Sequence, residues 1–474
     1  MWQQVLERFE KHAPASVMAR IALEQAMPAA WLDEVFEANR QRQYPRELLF
    51  STVVELMTLV SLGLQPSLHA AARKMEHLPV SLAALYDKVK RTELPLLRAL
   101  VQGSSARLRP IAAALDVAPC VPGWQVRIVD GNHLPGSQKR LAPLRGHRGA
   151  ALPGHSLVVY DPDLAQVVDL VACEDAYESE RTGVMPLFDS AGPGQIWIAD
   201  RHFCTRTILQ RCHEAGASFV VRQHSKHPVI VHEGPWGQAG RCETGLVREQ
   251  ALQIDQEQAP WRRIELQLDQ ASESGESTLW LWSNLPQSIS AQQIAGLYRR
   301  RWSIEGMFGR LESVLHSEIA TLGHPRAALL GFTVAVLAYN LLSLLKRCVE
   351  HAHHEEAPQL DVSTYHLAQH VRGAYVGLLI AVPSAHWSNW APQDTNQVVP
   401  RLLALARRII PRQVATSKHG PQDRKTQGLG RGSQGSGTCF HGPGAQGSDG
   451  SKTLKGVHLI SEVNSTTVPR YYLI

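Results

Sequence analysis

Apolar side chains recur every three to four residues in SVMARIALEQAM and RELLFSTVVELMTLVSLGL, with Pro or Gly near the breaks. That spacing predicts a run of helices over residues 1 to about 115. The pattern then changes. Between about 120 and 225, short apolar runs around Arg127, Val158, Val168, Trp197 and Val220 read as strands, and TRTILQRCHEAG among them reads as a helix. Alternation in RRIELQLDQ and TLWLWSNLP predicts more strands between about 226 and 287. Helical spacing returns in YRRRWSIEGMFGRLE, in AALLGFTVAVLAYNLLSLL and in RLLALARRII.

The stretch YRRRWSIEGMFGRLE, Tyr298 to Glu312, carries two stripes when drawn as one helix. At about 100° per residue, Tyr298, Arg301, Glu305 and Glu312 fall within roughly 60° of arc. Ile304, Phe308, Leu311 and Leu315 form the apolar stripe, so the polar row stands at the edge of a core. An i,i+4 Arg–Glu pair on a solvated face would give the same pattern. Two apolar runs upstream end in aspartate: QVRIVD at Asp130, followed by Gly131, and QIWIAD at Asp200, followed by Arg201. Strands often end in Asp for turn chemistry alone. Two strand-end aspartates with a helix-borne glutamate, however, form an oxygen-only donor set suited to Mg²⁺ or Mn²⁺, and that set suggests two-metal phosphoryl transfer.

Here the chain resembles the DDE transposases of bacterial insertion sequences, in the branch named for insertion sequence four, whose signature is Tyr-x2-Arg-x3-Glu-x6-Lys. Tyr298, Arg301 and Glu305 match in residue and spacing, while Glu312 stands where the pattern has Lys. An anion thus replaces a cation expected to contact DNA phosphate, and Arg310 and Arg299 are the nearby cations. The resemblance spans roughly residues 120 to 350. It includes the DGN of Asp130 to Asn132, the DR of Asp200 and Arg201, and the apolar helix after the signature.

The resemblance implies an α/β fold: a ribonuclease-H-like catalytic core with a β-rich insertion, preceded by an all-α domain. It implies residues 1–118 as a helical DNA-end-binding domain, 119–350 as the core with 226–287 as the insertion, and 351–416 as a C-terminal helical region. Asp130, Asp200 and Glu305 become the catalytic carboxylates and ligands of Mg²⁺, with Mn²⁺ able to substitute. Tyr298, Arg301, Arg299 and Arg300 become DNA contacts. Trp282, beside Trp280, is a candidate to stack on an extruded base, although two tryptophans in an alternating strand also read as core. The implied reaction is cleavage at terminal inverted repeats, hairpin formation and strand transfer into target DNA, carried out by a homodimer. Two alternatives share the fold: a DNA-binding protein without catalysis, and a nuclease without strand transfer.

Composition changes this picture only at its margins. The chain has 474 residues, 44% of them hydrophobic and 19% charged, as expected of a globular protein with two or three domains. Its 48 Lys and Arg against 43 Asp and Glu leave a formal charge of +5, so a nucleic-acid surface must come from local clusters. Three exist: Lys139, Arg140, Arg145 and Arg148 with His147; Arg299 to Arg301; and Arg407, Arg408 and Arg412. Seven cysteines without a Cys-x2-Cys pair indicate neither a disulfide framework nor a zinc ribbon and suit a reducing, cytoplasmic compartment, and the resemblance implies association with the nucleoid there. The N-terminus lacks the apolar core of a signal peptide. Ala327 to Leu345 is long enough to span a bilayer but carries Thr333, Asn340 and Ser343, and is expected to be a buried helix rather than a membrane segment. His351, His353 and His354 read as an exposed helix end. Residues 417–474 are rich in Gly, Ser and Gln and are expected to be a flexible tail.

Overall fold

The computed structural model describes residues 2–43, 47–75, 77–115, 118–134, 154–176, 178–226, 228–254, 261–272, 275–319, 322–383, 386–387 and 394–417. The basic cluster from Lys139 to Arg148 lies outside the described residues, as does the Gly-rich tail beyond its first residue. The chain begins with seven helices: α1 (Trp2–His12), α2 (Pro14–Ala26), α3 (Ala29–Asn39), α4 (Phe50–Ser61), α5 (Leu68–Lys74), α6 (Leu82–Lys90) and α7 (Leu94–Ala113). Local chemistry sets several of their starts. Pro14 and Pro95 occupy first-turn positions that need no N–H, and the hydroxyls of Ser67 and Ser81 accept the N–H groups of Ala70 and Ala84.

The central segment holds β1 (Gln125–His133), β2 (His155–Asp161), β3 (Gln166–Cys173), α8 (Glu180–Gly183), α9 (Met185–Phe188), β4 (Gln195–Ala199), α10 (Arg206–Glu214) and β5 (Ser218–Arg222). The strands β6 (His232–Glu233), β7 (Gly240–Cys242), β8 (Gly245–Gln253), β9 (Trp261–Leu268) and β10 (Thr278–Ser283) follow. All ten join one sheet in the order β3-β2-β1-β4-β5-β10-β9-β8-β6, with β7 pairing β8. β1, β2 and β3 are antiparallel neighbours, whereas β4 and β5 run parallel to β1. The strands expected as an insertion therefore continue the same sheet, because β10 pairs antiparallel with β5.

Alternation along each strand divides the sheet's side chains between two covers. Val126, Ile128, Ile196, Ile198 and Val220 face the larger apolar core, which runs from Leu6 to Val414 and includes the helical layer. Val129, Trp197, Ala199, Phe219 and Val221 face a second core with Val184, Leu187, Phe188 and Leu209 from α8–α10 and their flanks. Helices from both ends of the chain share the first layer. α11 (Ala291–Arg299), α12 (Trp302–Leu315), α13 (Pro325–Ala352), α14 (Thr364–Ala381), α15 (Thr395–Ala406) and α16 (Pro411–Val414) complete the described chain. α13 packs against α2, α4, α6, α7, α14, α15 and β3. Residue 118 thus marks a change of element type without starting a separate core.

The apolar α13 has the length and composition to cross a membrane, yet it is buried almost throughout. Its one deeply buried amide shows why a polar group survives there. Asn340 accepts the N–H of Val167 at 2.8 Å and donates to the carbonyl of Val167 at 2.8 Å, so it pairs with the edge strand β3 from the side. At the other end of α13, His353 departs from the expected exposed cluster. It is buried, with its Nε2 3.2 Å from the carbonyl oxygen of Ala406.

Candidate active site

β1 and β4 are parallel, and Ile128 lies opposite Ile198. Two residues further on, Asp130 and Asp200 stand level with each other and on the same sheet face as those isoleucines. β4 and β5 pair Ala199 with Val221, which places Arg222 level with Asp200 on the third parallel strand. The three side chains thus form a row of charge across neighbouring strands. Asp200 follows the last residue of β4 and Arg222 closes β5, but β1 runs three residues past Asp130, to His133, so the expected strand-end placement holds for Asp200 and not for Asp130. Each aspartate is held by backbone chemistry: Asp130 Oδ1 accepts the N–H of Gly131 at 2.9 Å, and Asp200 Oδ1 accepts the N–H of His202 at 2.8 Å, which starts the 3-10 turn Arg201–Phe203.

The sequence pattern predicts one helix across Tyr298 to Glu312. Instead the chain breaks at Arg300 and Arg301, between α11 and α12. The junction is a tight turn in which Ile304 N–H bonds to the carbonyl of Arg301, and the Ser303 hydroxyl takes the carbonyl of Arg300. Arg301 at this break reaches across to Asp130 on β1. Its Nη1 donates to Asp130 Oδ2 at 2.8 Å and its Nη2 donates to Glu305 Oε1 at 2.6 Å. The i,i+4 pair of Arg301 and Glu305 is therefore half of a bridge between carboxylates 175 residues apart in the chain. Trp302 lies beside this guanidinium, with its ring centre 5.1 Å away.

Burial and crowding shape the electrostatics. Burial pushes the Asp130 carboxyl up to about 6; Arg301 and the Gly131 N–H pull it down, whereas Asp200 and Glu305 add to the rise. Arg301 is buried too, which alone would lower its pKa, but Tyr298, Asp130 and Glu305 together hold it above the usual value. Tyr298, expected as a phosphate contact, is buried with its hydroxyl on Arg301. Burial raises that phenol to about 12 against the opposing pull of Arg301 and Arg222.

The other proposed DNA contacts divide. Arg300 is exposed, and Arg299 pairs with Glu243 at 2.7 Å, tying α11 to the β7–β8 turn. Trp282 requires a correction: it is completely buried in the second core, on the sheet face away from Asp130. Its Nε1 donates to Gln223 Oε1 at 3.0 Å, so no ring face is open to a base. Trp280 points to the same side, half-buried between Trp236, 5.6 Å between ring centres, and the guanidinium of Arg263 at 4.2 Å. Glu312 is exposed on α12. Arg310 turns inward, its Nη2 3.3 Å from the Tyr339 hydroxyl, and does not replace the missing lysine at the surface. Arg222 escaped the sequence reading, although it shares the signal that marked the aspartates, a charge closing an apolar strand.

The donor chemistry of Asp130, Asp200 and Glu305 suits a hard divalent cation. A carboxyl raised chiefly by burial, with Asp200 and Glu305 adding to the rise, fits the same reading, since a bound cation would favour its charged form. As placed, however, Arg301 supplies the positive charge between Asp130 and Glu305. Among the described residues no three His, Cys, Asp or Glu side chains are gathered closely enough to enclose an ion.

Fold and site together define an α/β protein that presents acidic groups level with each other on neighbouring parallel strands, beside a basic helix junction. Residues 123–341 match the family model described as the transposase DDE domain, a span that contains Asp130, Asp200 and Glu305, and the match supports a DDE transposase, a DNA-processing enzyme. No curated protein matches the chain.

Proposed function

We propose that this protein is a DDE transposase of the branch named for insertion sequence four, cutting DNA at terminal inverted repeats and transferring the freed 3′ ends into target DNA through hairpin intermediates. The observation that carries this reading is the placement of Asp130 and Asp200 at one level of two parallel strands, with Glu305 linked to them through Arg301. The strand order β3-β2-β1-β4-β5, antiparallel and then parallel, supports a ribonuclease-H-like core. In this reading residues 1–118 bind the transposon end, 119–350 form the catalytic region including the 226–287 extension, 351–416 support it, and the active assembly is a homodimer near the nucleoid.

In this reading Asp130, Asp200 and Glu305, which as placed are bridged by Arg301 rather than gathered round one point, would close on Mg²⁺ or Mn²⁺, which when bound supplies activation of the attacking water or 3′-hydroxyl and neutralises the leaving oxygen. The chain's own contribution is positioning. The N–H groups of Gly131 and His202 orient the two aspartates. Arg301 aligns Asp130 with Glu305 and offsets their charge, and the buried phenol of Tyr298 fixes the guanidinium. The exposed Arg300, with Arg299 beside it, offers guanidinium forks to the DNA backbone.

The test is cleavage of a labelled duplex ending in the native terminal repeat, with Mg²⁺ or EDTA, by wild type and by Asp130→Ala, Asp200→Ala and Glu305→Ala. Metal-dependent nicks and hairpins from the wild type, lost in each variant with DNA binding retained, are the expected result. One observation favours a second reading, a DNA-binding protein without catalysis: the exposed Glu312 and inward Arg310 leave an anion where the signature has a cation. Binding of the repeat without cleavage by folded wild type would decide for it.

A further inference from the structure

We infer that the helical turn Glu180–Gly183 braces both aspartates, with Glu180 and Arg181 as positioning residues of the cleavage site; this rests on the transposase reading above. The carboxylates of Asp130 and Asp200 are each oriented by one peptide N–H, that of Gly131 and that of His202. α8 touches both residues. Arg181 Nε donates to the His202 carbonyl at 2.8 Å, so the residue that orients Asp200 is itself held from its other side. Glu180 lies against Gly131 so closely that a Cβ there would come within 2.0 Å of its Oε1. A side chain at this position would displace that carboxylate from where it stands. The same oxygen stands 3.8 Å from His133 Nε2.

The brace has a fixed root. Gly183 packs on Leu157 and Cys173, while Val184, Leu187 and Phe188 are buried in the second core. Arg98, which forks onto Asp169, also donates to the Pro186 carbonyl at 3.0 Å. None of these anchors uses the side chains of Glu180 or Arg181, so replacing either leaves the turn seated. What such a change removes is the link from that seat to the two residues that orient the catalytic pair. Supports of this kind commonly affect metal affinity or activity by about 10- to 100-fold.

The experiment compares wild type, Arg181→Ala, Arg181→Lys, Glu180→Ala, Glu180→Gln and Gly131→Ala, with Asp130→Ala as reference. Mn²⁺ binding is followed by electron paramagnetic resonance, terminal-repeat binding in EDTA, the urea unfolding midpoint, and the nicking rate against Mn²⁺ concentration. Arg181→Ala and Glu180→Ala are expected to weaken Mn²⁺ binding and slow nicking by about 10- to 100-fold, with repeat affinity and the urea midpoint at wild-type values. Arg181→Lys and Glu180→Gln recover part of the loss, and Gly131→Ala, which pushes the Glu180 carboxylate aside, behaves like Glu180→Ala. Wild-type Mn²⁺ binding and nicking in the alanine variants overturn the brace alone, as does a loss that only follows the urea midpoint. Wild type that neither binds Mn²⁺ nor nicks, matching Asp130→Ala, overturns the transposase reading and the brace with it.

Discussion

Replacing Asp130 by Asn should make the protein more stable at pH 8 while abolishing the cleavage proposed above. Burial and the neighbouring Asp200 and Glu305 raise the Asp130 carboxyl from the ordinary 3.8 to about 6, despite Arg301. A rise of that size is worth about 3 kcal/mol. The side chain keeps 21% exposure, so solvent screening trims the expected figure to about 2 kcal/mol. The sign follows from proton binding. The folded chain holds this proton more tightly than the unfolded chain, so the associated stability is fully present below the ordinary 3.8 and is lost as pH rises through about 6. Asn has no proton to lose and still offers Arg301 an oxygen. Urea unfolding in EDTA should therefore show wild type and Asp130→Asn nearly equal near pH 4, with the variant more stable by about 2 kcal/mol at pH 8. A destabilised variant at pH 8, or a gain independent of pH, would refute the claim that crowded charge is stored at this position. Adding Mn²⁺ at pH 8 should narrow the gap by stabilising only the wild type.

Three further outcomes follow from the packing. Arg301→Ala leaves Asp130 and Glu305 without their shared cation and should lower stability by about 2 to 3 kcal/mol at pH 8, less at pH 5 where Asp130 takes up a proton, as read by urea unfolding at both pH values. Asn340→Leu strands the N–H and carbonyl of Val167 and should cost about 2 to 4 kcal/mol in the same measurement. Trp282→Ala should cost about 3 to 5 kcal/mol while the folded fraction binds terminal-repeat DNA as wild type does; a selective loss of DNA binding would reinstate the indole as a contact.

The aspartates were legible because each closes a continuous apolar run, and a strand buried on both faces carries that signature. The same property hid Trp282. Alternation in TLWLWS separates two faces, but both are covered by apolar layers, so the pattern could not say which face leaves a side chain free. Arg301 shows a different limit. Its helical neighbour Glu305 is visible in the spacing, while its partner Asp130 is brought to it only by the sheet. The break between α11 and α12 carries no Pro or Gly to mark it. Nor could local alternation show that β10 pairs with β5, since register between distant strands is fixed by their shared core. Glu180 and Arg181 sit in a four-residue helix too short to establish a period.

The burial of α13 has a consequence for how the chain is made. A segment this apolar, met alone as it leaves the ribosome, is what membrane-insertion machinery captures. By then, however, α2, α4, α6, α7 and β3 have already been synthesised, and they supply much of the surface that α13 packs against. α14 and α15 emerge afterwards and cover the rest. The order of the elements along the chain thus puts much of the surface that buries this segment ahead of it, where it can compete with the bilayer for a helix apolar enough to enter one.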